Sequence, residues 1–76
     1  MIFVKSAIHI KDYILDITFS DGSTKRVNLS SSLDGEIFKP LKDPSYFAKV
    51  SVNDELETIC WPNGADFAPE YLYSLH

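Results

Sequence analysis

One cysteine, one tryptophan, two histidines and three glycines are all this 76-residue chain holds of the residue types that most often build a site. A lone cysteine, Cys60, excludes an internal disulfide and makes a reducing compartment the default. Cys60, His9 and His76 cannot supply the three or four closely spaced ligands that zinc needs, so no metal site is expected. Lysine and arginine number 7 against 11 acids, for a net charge of −4. That balance argues against a surface that neutralises phosphates, and it favours a protein partner, a basic one in particular. Phosphate-cradling glycine loops are absent. Ser30, Ser31 and Ser32 follow a strand but lack the Gly-x-Ser-x-Gly elbow, and they read as the cap of a helical turn. Asp54, Glu55 and Glu57 read as a solvated loop and not as an acid–base pair across a cleft. The apolar start is interrupted by Lys5 and His9, too soon for a signal sequence or a membrane span. These absences lead to the expectation of a cytoplasmic, non-catalytic protein without a cofactor and without a membrane partner.

What is present is an ordinary globular balance, 45% hydrophobic and 24% charged. The length predicts one domain, residues 1–76, burying roughly 60% of its unfolded surface. Residues 2–10 read as a strand with Ile2, Val4, Ile8 and Ile10 on one face, and with Lys5 and His9 on the other, solvated face. Residues 13–19 alternate cleanly through Tyr13, Leu15, Ile17 and Phe19. "FSDGS" turns the chain into residues 23–29. A two-residue Asp-Gly loop would set the apolar face of one strand against the polar face of the next. A three-residue loop, Ser20-Asp21-Gly22, pairs Leu15 with Val27 and Tyr13 with Leu29, so that register is expected. "WPNGA" repeats the device: Pro62 and Asn63 suit the centre of a turn and Gly64 supplies a positive φ. It pairs Trp61 with Ala65 and Ile59 with Phe67.

Gly35 and Pro40 limit residues 30–42 to short helical turns. Asp43-Pro44 reads as an N-cap followed by the first residue of a short helix that packs Tyr46 and Phe47 inward. Residues 48–52 and 56–61 read as strands joined by an odd-length loop, which would place Val50 and Val52 with Leu56, Thr58 and Cys60. Ala68-Pro69-Glu70 opens a last short helix with Tyr71, Leu72 and Leu75 as docking residues. The fold class is therefore α+β: a small antiparallel sheet of about five strands, two hairpins plus an N-terminal strand, with one or two short helices. Cys60, between Ile59 and Trp61, reads as a packing residue. Trp61 and Phe67 read as core. Trp61, Asn63, Asp66, Tyr71 and Tyr73 form the candidate interaction or ligand surface, because aromatic residues dominate binding hot spots.

Three stretches carry a family resemblance. They are "YILDITFSDGSTKRVNLS", "FKPLKDPSYFAKVSV" with Leu41, Asp43, Pro44 and Phe47, and "CWPNGADFAPEYLY" with Trp61, Pro62, Asn63, Gly64, Asp66, Pro69 and Leu72. In these the chain resembles the DUF2442 family of small bacterial domains, nearly end to end. The resemblance implies an α+β fold of the NE0471 N-terminal-domain type and assigns no activity or catalytic residue. It also implies a place among antitoxin-like or accessory partners of other small proteins. Some relatives add a helix-turn-helix DNA-binding domain, for which 76 residues leave no room, so direct nucleic-acid binding is not expected. The function expected is that of a protein-interaction module, with a homodimer as one form. The alternative is a small-molecule or nucleotide sensor with a shallow pocket beside the Trp61–Gly64 turn.

Overall fold

β1 (Val4–Lys11), β2 (Ile14–Phe19) and β3 (Thr24–Asn28) form one antiparallel sheet with β2 in the centre. The computed structural model describes residues 1–75. Leu15 pairs with Val27 and Thr18 with Thr24. The Phe19 amide donates to the Ser23 carbonyl at 2.8 Å, closing the three-residue loop that matching of the apolar faces requires. Gly22 sits at φ +87°, a conformation in which a Cβ is strained. Asp21 Oδ1 accepts the Ser23 amide at 2.9 Å and stiffens the corner. The second corner matches it: Trp61 N–H to Ala65 carbonyl at 2.9 Å, Gly64 N–H to Trp61 carbonyl at 3.0 Å, and Gly64 at φ +89°. Its returning arm does not extend into a strand. It is a single bridge, Cys60 to Asp66, because Pro69 soon opens the final helix.

β4 (Ser51–Asn53) and β5 (Thr58–Cys60) form a two-stranded antiparallel ribbon. The five strands of this α+β domain thus divide into three and two. The ribbon's loop corrects the odd-length expectation. Asn53 pairs with Thr58 across a four-residue loop, so Val52 lies opposite Ile59 and not beside Thr58 and Cys60. Asn53 sets this loop, with its Oδ1 accepting the amides of Glu55 and Leu56 at 2.9 and 3.0 Å. Glu57 closes it at φ +57°, and Leu56 is left exposed. Cys60 is only half-buried and its sulfur lies 3.8 Å from the Ser51 hydroxyl, so it lines the ribbon's outer side rather than the core.

The helical segments are short. A 3-10 turn at Ser30–Ser32 and a 3-10 helix at Glu36–Lys42 fill the predicted irregular stretch. Asn28, not a serine, supplies the polar contact at the first of these, its Oδ1 accepting the Ser30 amide at 2.9 Å. α1 (Pro44–Phe47) has Asp43 as its N-cap, accepting the Ser45 amide at 3.0 Å. α2 (Pro69–Ser74) buries Leu72. Among the described residues no helix is long and apolar enough to cross a membrane. One core joins these pieces: the inner face of the sheet (Leu15, Ile17, Phe19, Val27) meets Leu41, Phe47, Ile59, Trp61 and Leu72. Burial of each such side chain stabilises the fold by about 1.5–3 kcal/mol.

The main departure from simple alternation is in β1. Val4 pairs with Phe19, but Ser6 pairs with Thr18, so Lys5 is an extra residue in the strand. The parity changes from Ser6 to His9, and a second register shift between His9 and Lys11, at Ile10, reverses it for Lys11, which pairs with Ile14. Ala7 and His9, opposite the fully buried Ile17 and Leu15, turn inward, while Ile8, opposite Asp16, turns out. Ile8 and Ile10 are 62% and 41% exposed, and the expectation that they share the face of Val4 is corrected. His9, read as solvated, instead presents its ring to the edge of Phe47, 5.9 Å between centroids. Two backbone bonds, Val4 N–H to the Glu57 carbonyl and Ser20 N–H to the Phe3 carbonyl, and one to a side chain, Phe3 N–H to the Ser20 hydroxyl, hold the start of the strand where the shift occurs.

Candidate interaction surface

The five residues of the predicted surface fall into two groups. Trp61 is buried, and its indole N–H donates to the Phe47 carbonyl at 2.9 Å, so it anchors α1 from inside the core. Asn63 is half-buried with both ends of its amide engaged. Its Nδ2 donates to the Ile37 carbonyl at 2.8 Å and its Oδ1 accepts the Ala65 amide at 3.1 Å. It ties the second turn to the 3-10 helix. Asp66 is exposed next to it. Tyr71 lies over Phe67, which in turn stacks on Phe38, with centroids 5.7 and 4.8 Å apart. The Tyr71 and Ser32 hydroxyls are 2.6 Å apart. Tyr73 meets Phe19 edge-on at 5.0 Å and donates its hydroxyl to Asp21 at 2.8 Å. The structure therefore uses the two tyrosines of α2 to fasten that helix at both ends.

The Tyr73–Asp21 contact has an electrostatic signature. Asp21 is held below the usual carboxylate range, first by the Ser23 hydroxyl, then by the Ser23 amide and the Tyr73 hydroxyl. Tyr73 is pushed above the ordinary phenol value, first because its hydroxyl donates to Asp21 and then by that residue's charge. A raised phenol contributes stability below its unfolded value of about 10, and the contribution is lost as pH rises through the higher folded value. The lowered carboxyl contributes above its own unfolded value of about 4, and that is lost as pH falls through the lower folded value. Of the four tyrosines, Tyr73 should accordingly form phenolate late in an ultraviolet absorbance titration. Asp21→Asn should bring it back toward the ordinary value; an unchanged titration curve would show that the contact does not persist in solution.

A second surface was hidden from sequence reasoning by the bulge at Lys5. The outer face of the sheet is uncovered. Its rows run Ser6–Thr18–Thr24 and Ile8–Asp16–Arg26, followed by Lys11–Ile14–Asn28. Arg26 holds Asp16 through two bonds, at 2.8 and 3.1 Å, which lowers the Asp16 carboxyl. β1 and β3 are the two edges of this sheet. Beyond the Val4–Glu57 bond, Ser6–Lys11 has no backbone partner outside its hairpin with β2 among the described residues. The signal that could have exposed this surface is the interruption of the apolar series at Ser6. Where the start of β1 meets the ribbon lies an open cleft of about 330 Å³, floored by Phe3, Val4 and Val52 and edged by Lys5, Asp54 and Glu57. This cleft does not involve the Trp61–Gly64 turn. No three His, Cys, Asp or Glu side chains converge on a metal position among the described residues.

Fold and surface together define a small α+β domain with an uncovered sheet face and an open edge strand. The chain belongs to the family described as protein of unknown function (DUF2442), whose family model matches residues 4–75. Among solved structures it is similar to "Putative DNA Binding Protein NE0471" from Nitrosomonas europaea, at 21% identity and a TM-score of 0.86. That similarity covers 99% of this chain and 48% of the other, so the chain spans about half the length of that protein. At this identity the likeness establishes the shared fold. No curated protein matches the chain.

Proposed function

We propose that this domain is a non-catalytic protein-interaction module, an accessory partner of another protein in a bacterial cytoplasm. The observation that carries the reading is the exposure of Ile8 and Ile10 on an edge strand whose outer backbone groups along Ser6–Lys11 have no partner among the described residues. Exposed edge strands are templates for pairing, and natural proteins normally blunt them. Here two bulges and two lysines modify the edge, but the backbone groups along Ser6–Lys11 keep no partner outside the hairpin among the described residues, and Ile8 and Ile10 stay exposed. Main-chain hydrogen bonds to an added strand would supply affinity, and the isoleucines would supply the apolar contact.

Two other readings have weaker support. Sensing at the Trp61–Gly64 turn would need polar groups free to meet a ligand, and both ends of the Asn63 amide already hold backbone partners. The DNA-binding description of NE0471 concerns a chain about twice as long, and a net charge of −4 does not favour phosphates.

The test is recovery of co-purifying protein by the wild-type chain and by an Ile8→Lys, Ile10→Lys variant. Both residues are exposed, so the variant should fold with a melting temperature close to wild type and lose the partner. Retention of the same partner by a folded variant would refute the reading.

A further inference from the structure

The partner's chemistry follows from the charges on the open edge, and the argument rests on the reading of that edge as a docking surface. The whole chain is acidic, which favours a basic partner, but β1 is not. Its eight residues, Val-Lys-Ser-Ala-Ile-His-Ile-Lys, include Lys5 and Lys11 and no acid. Among the described residues the one ion pair is Arg26–Asp16, so neither lysine has a carboxylate within 4.0 Å. Asp54 and Glu57 share the cleft edge with Lys5, and Asp12 follows Lys11 in the turn, without reaching that distance. Lys5 and Lys11 are both exposed and bracket the strand, about 20 Å apart at the usual rise of a strand. Between them stand the exposed Ile8 and Ile10.

A second copy of the chain fits this edge poorly. Antiparallel pairing of β1 with itself can centre on Ile8, which sets Lys5 against Lys11 of the second copy, on Ala7, which sets Lys5 against His9, or on His9, which sets Ile8 against Ile10 and Lys11 against Ala7. Two lysines directly opposite are destabilising in a sheet, and no register gives either lysine an acid, because the strand holds none. We infer that β1 receives an extended segment of a different protein, acidic near both ends and apolar between, added as a further strand along Ser6–Lys11. The acids meet Lys5 and Lys11 while the apolar residues cover Ile8 and Ile10.

The experiment uses three synthetic heptapeptides, acetylated and amidated: Glu-Thr-Val-Thr-Val-Thr-Glu, the same peptide with Lys in place of Glu, and the same with Gln. Binding to the full chain is read from amide shifts and hydrogen exchange. The acidic peptide should protect amides within Ser6–Lys11, and its affinity should fall as salt is raised. The Lys5→Glu, Lys11→Glu variant should bind it about tenfold more weakly and should gain affinity for the lysine peptide. Preference of the wild-type edge for the lysine peptide, or equal binding of all three, would overturn the inference while leaving the docking edge in place. Concentration-dependent dimerisation through β1 would overturn it in favour of a second copy. Failure of every peptide to perturb Ser6–Lys11 would overturn both the partner chemistry and the docking edge.

Discussion

Phe47→Ala should remove a large part of the domain's stability and lower its melting temperature steeply. Phe47 is fully buried, and its ring meets Tyr13 at 5.3 Å, Trp61 at 5.4 Å and His9 at 5.9 Å. It is the anchor that joins the inner face of the sheet to the second turn. α1 has four residues and cannot persist without that anchor, since a single helical turn is far below the length at which helices are stable alone. Truncation of a buried phenylalanine costs about 3–5 kcal/mol. A domain of this length has a total stability of about 4–11 kcal/mol. The loss therefore takes most of the lower end of that range. Near-ultraviolet circular dichroism should show loss of the Trp61 environment, and thermal melts should show a collapse of the transition. Phe47→Leu, which keeps the burial but not the ring contacts, should melt well above the alanine variant. A shift of only a few degrees for Phe47→Ala would show that α1 is not what closes the core.

Gly22→Ala combined with Gly64→Ala should be the second most damaging change. At both corners a Cβ would point into open space, with no neighbour within 4 Å, so the penalty is one of backbone conformation and not of collision. Each L-residue forced into the left-handed region costs about 1–2 kcal/mol. The corners belong to different turns with no shared partner, so the double variant should lose about 2–4 kcal/mol. At about 4–8 °C per kcal/mol for a domain of this size, the melting temperature should fall by about 8–32 °C. Asn residues in place of the glycines tolerate the same φ better and should recover part of the loss. If the double alanine variant melted within a few degrees of wild type, the two corners would not be what sets the register.

The corners, the N-cap and the helix starts were legible in the sequence because each is a local device. Ser-Asp-Gly and Pro-Asn-Gly each name their own backbone conformation, and face matching between Leu15 and Val27 selects the loop length. Asp43 and Pro44 do the same for α1. Asn63 shows where locality ends. The turn explains its bond to the Ala65 amide, but the Ile37 carbonyl is 26 residues away, and nothing in "WPNGA" foretells it. The bulge at Lys5 was illegible for a related reason. Alternation through Ile2, Val4, Ile8 and Ile10 is internally consistent, and only the anchoring of Val4 by Glu57 and of Phe3 by Ser20 breaks it. Ala7 then fits opposite Ile17, and the isoleucines that alternation assigns to the core become surface. The aromatic C-terminal third, to which the sequence assigns the candidate surface, packs as well as faces solvent: Trp61 lies on Phe47, while Tyr71 and Tyr73, on Phe67 and Phe19, stay exposed.

The central claim is that the extra residue at Lys5 turns Ile8 outward and that Ile10, at the second register shift, lies on the same surface. A thermal melt of the Ile8→Ser, Ile10→Ser variant tests it most directly. With both side chains outside the core, each substitution should change stability by no more than about 0.5 kcal/mol, and the melting temperature should fall by less than about 8 °C. A fall of about 10 °C or more would place the two isoleucines in the core beside Val4, as plain alternation would have it. The open edge would then have no apolar surface to offer a partner.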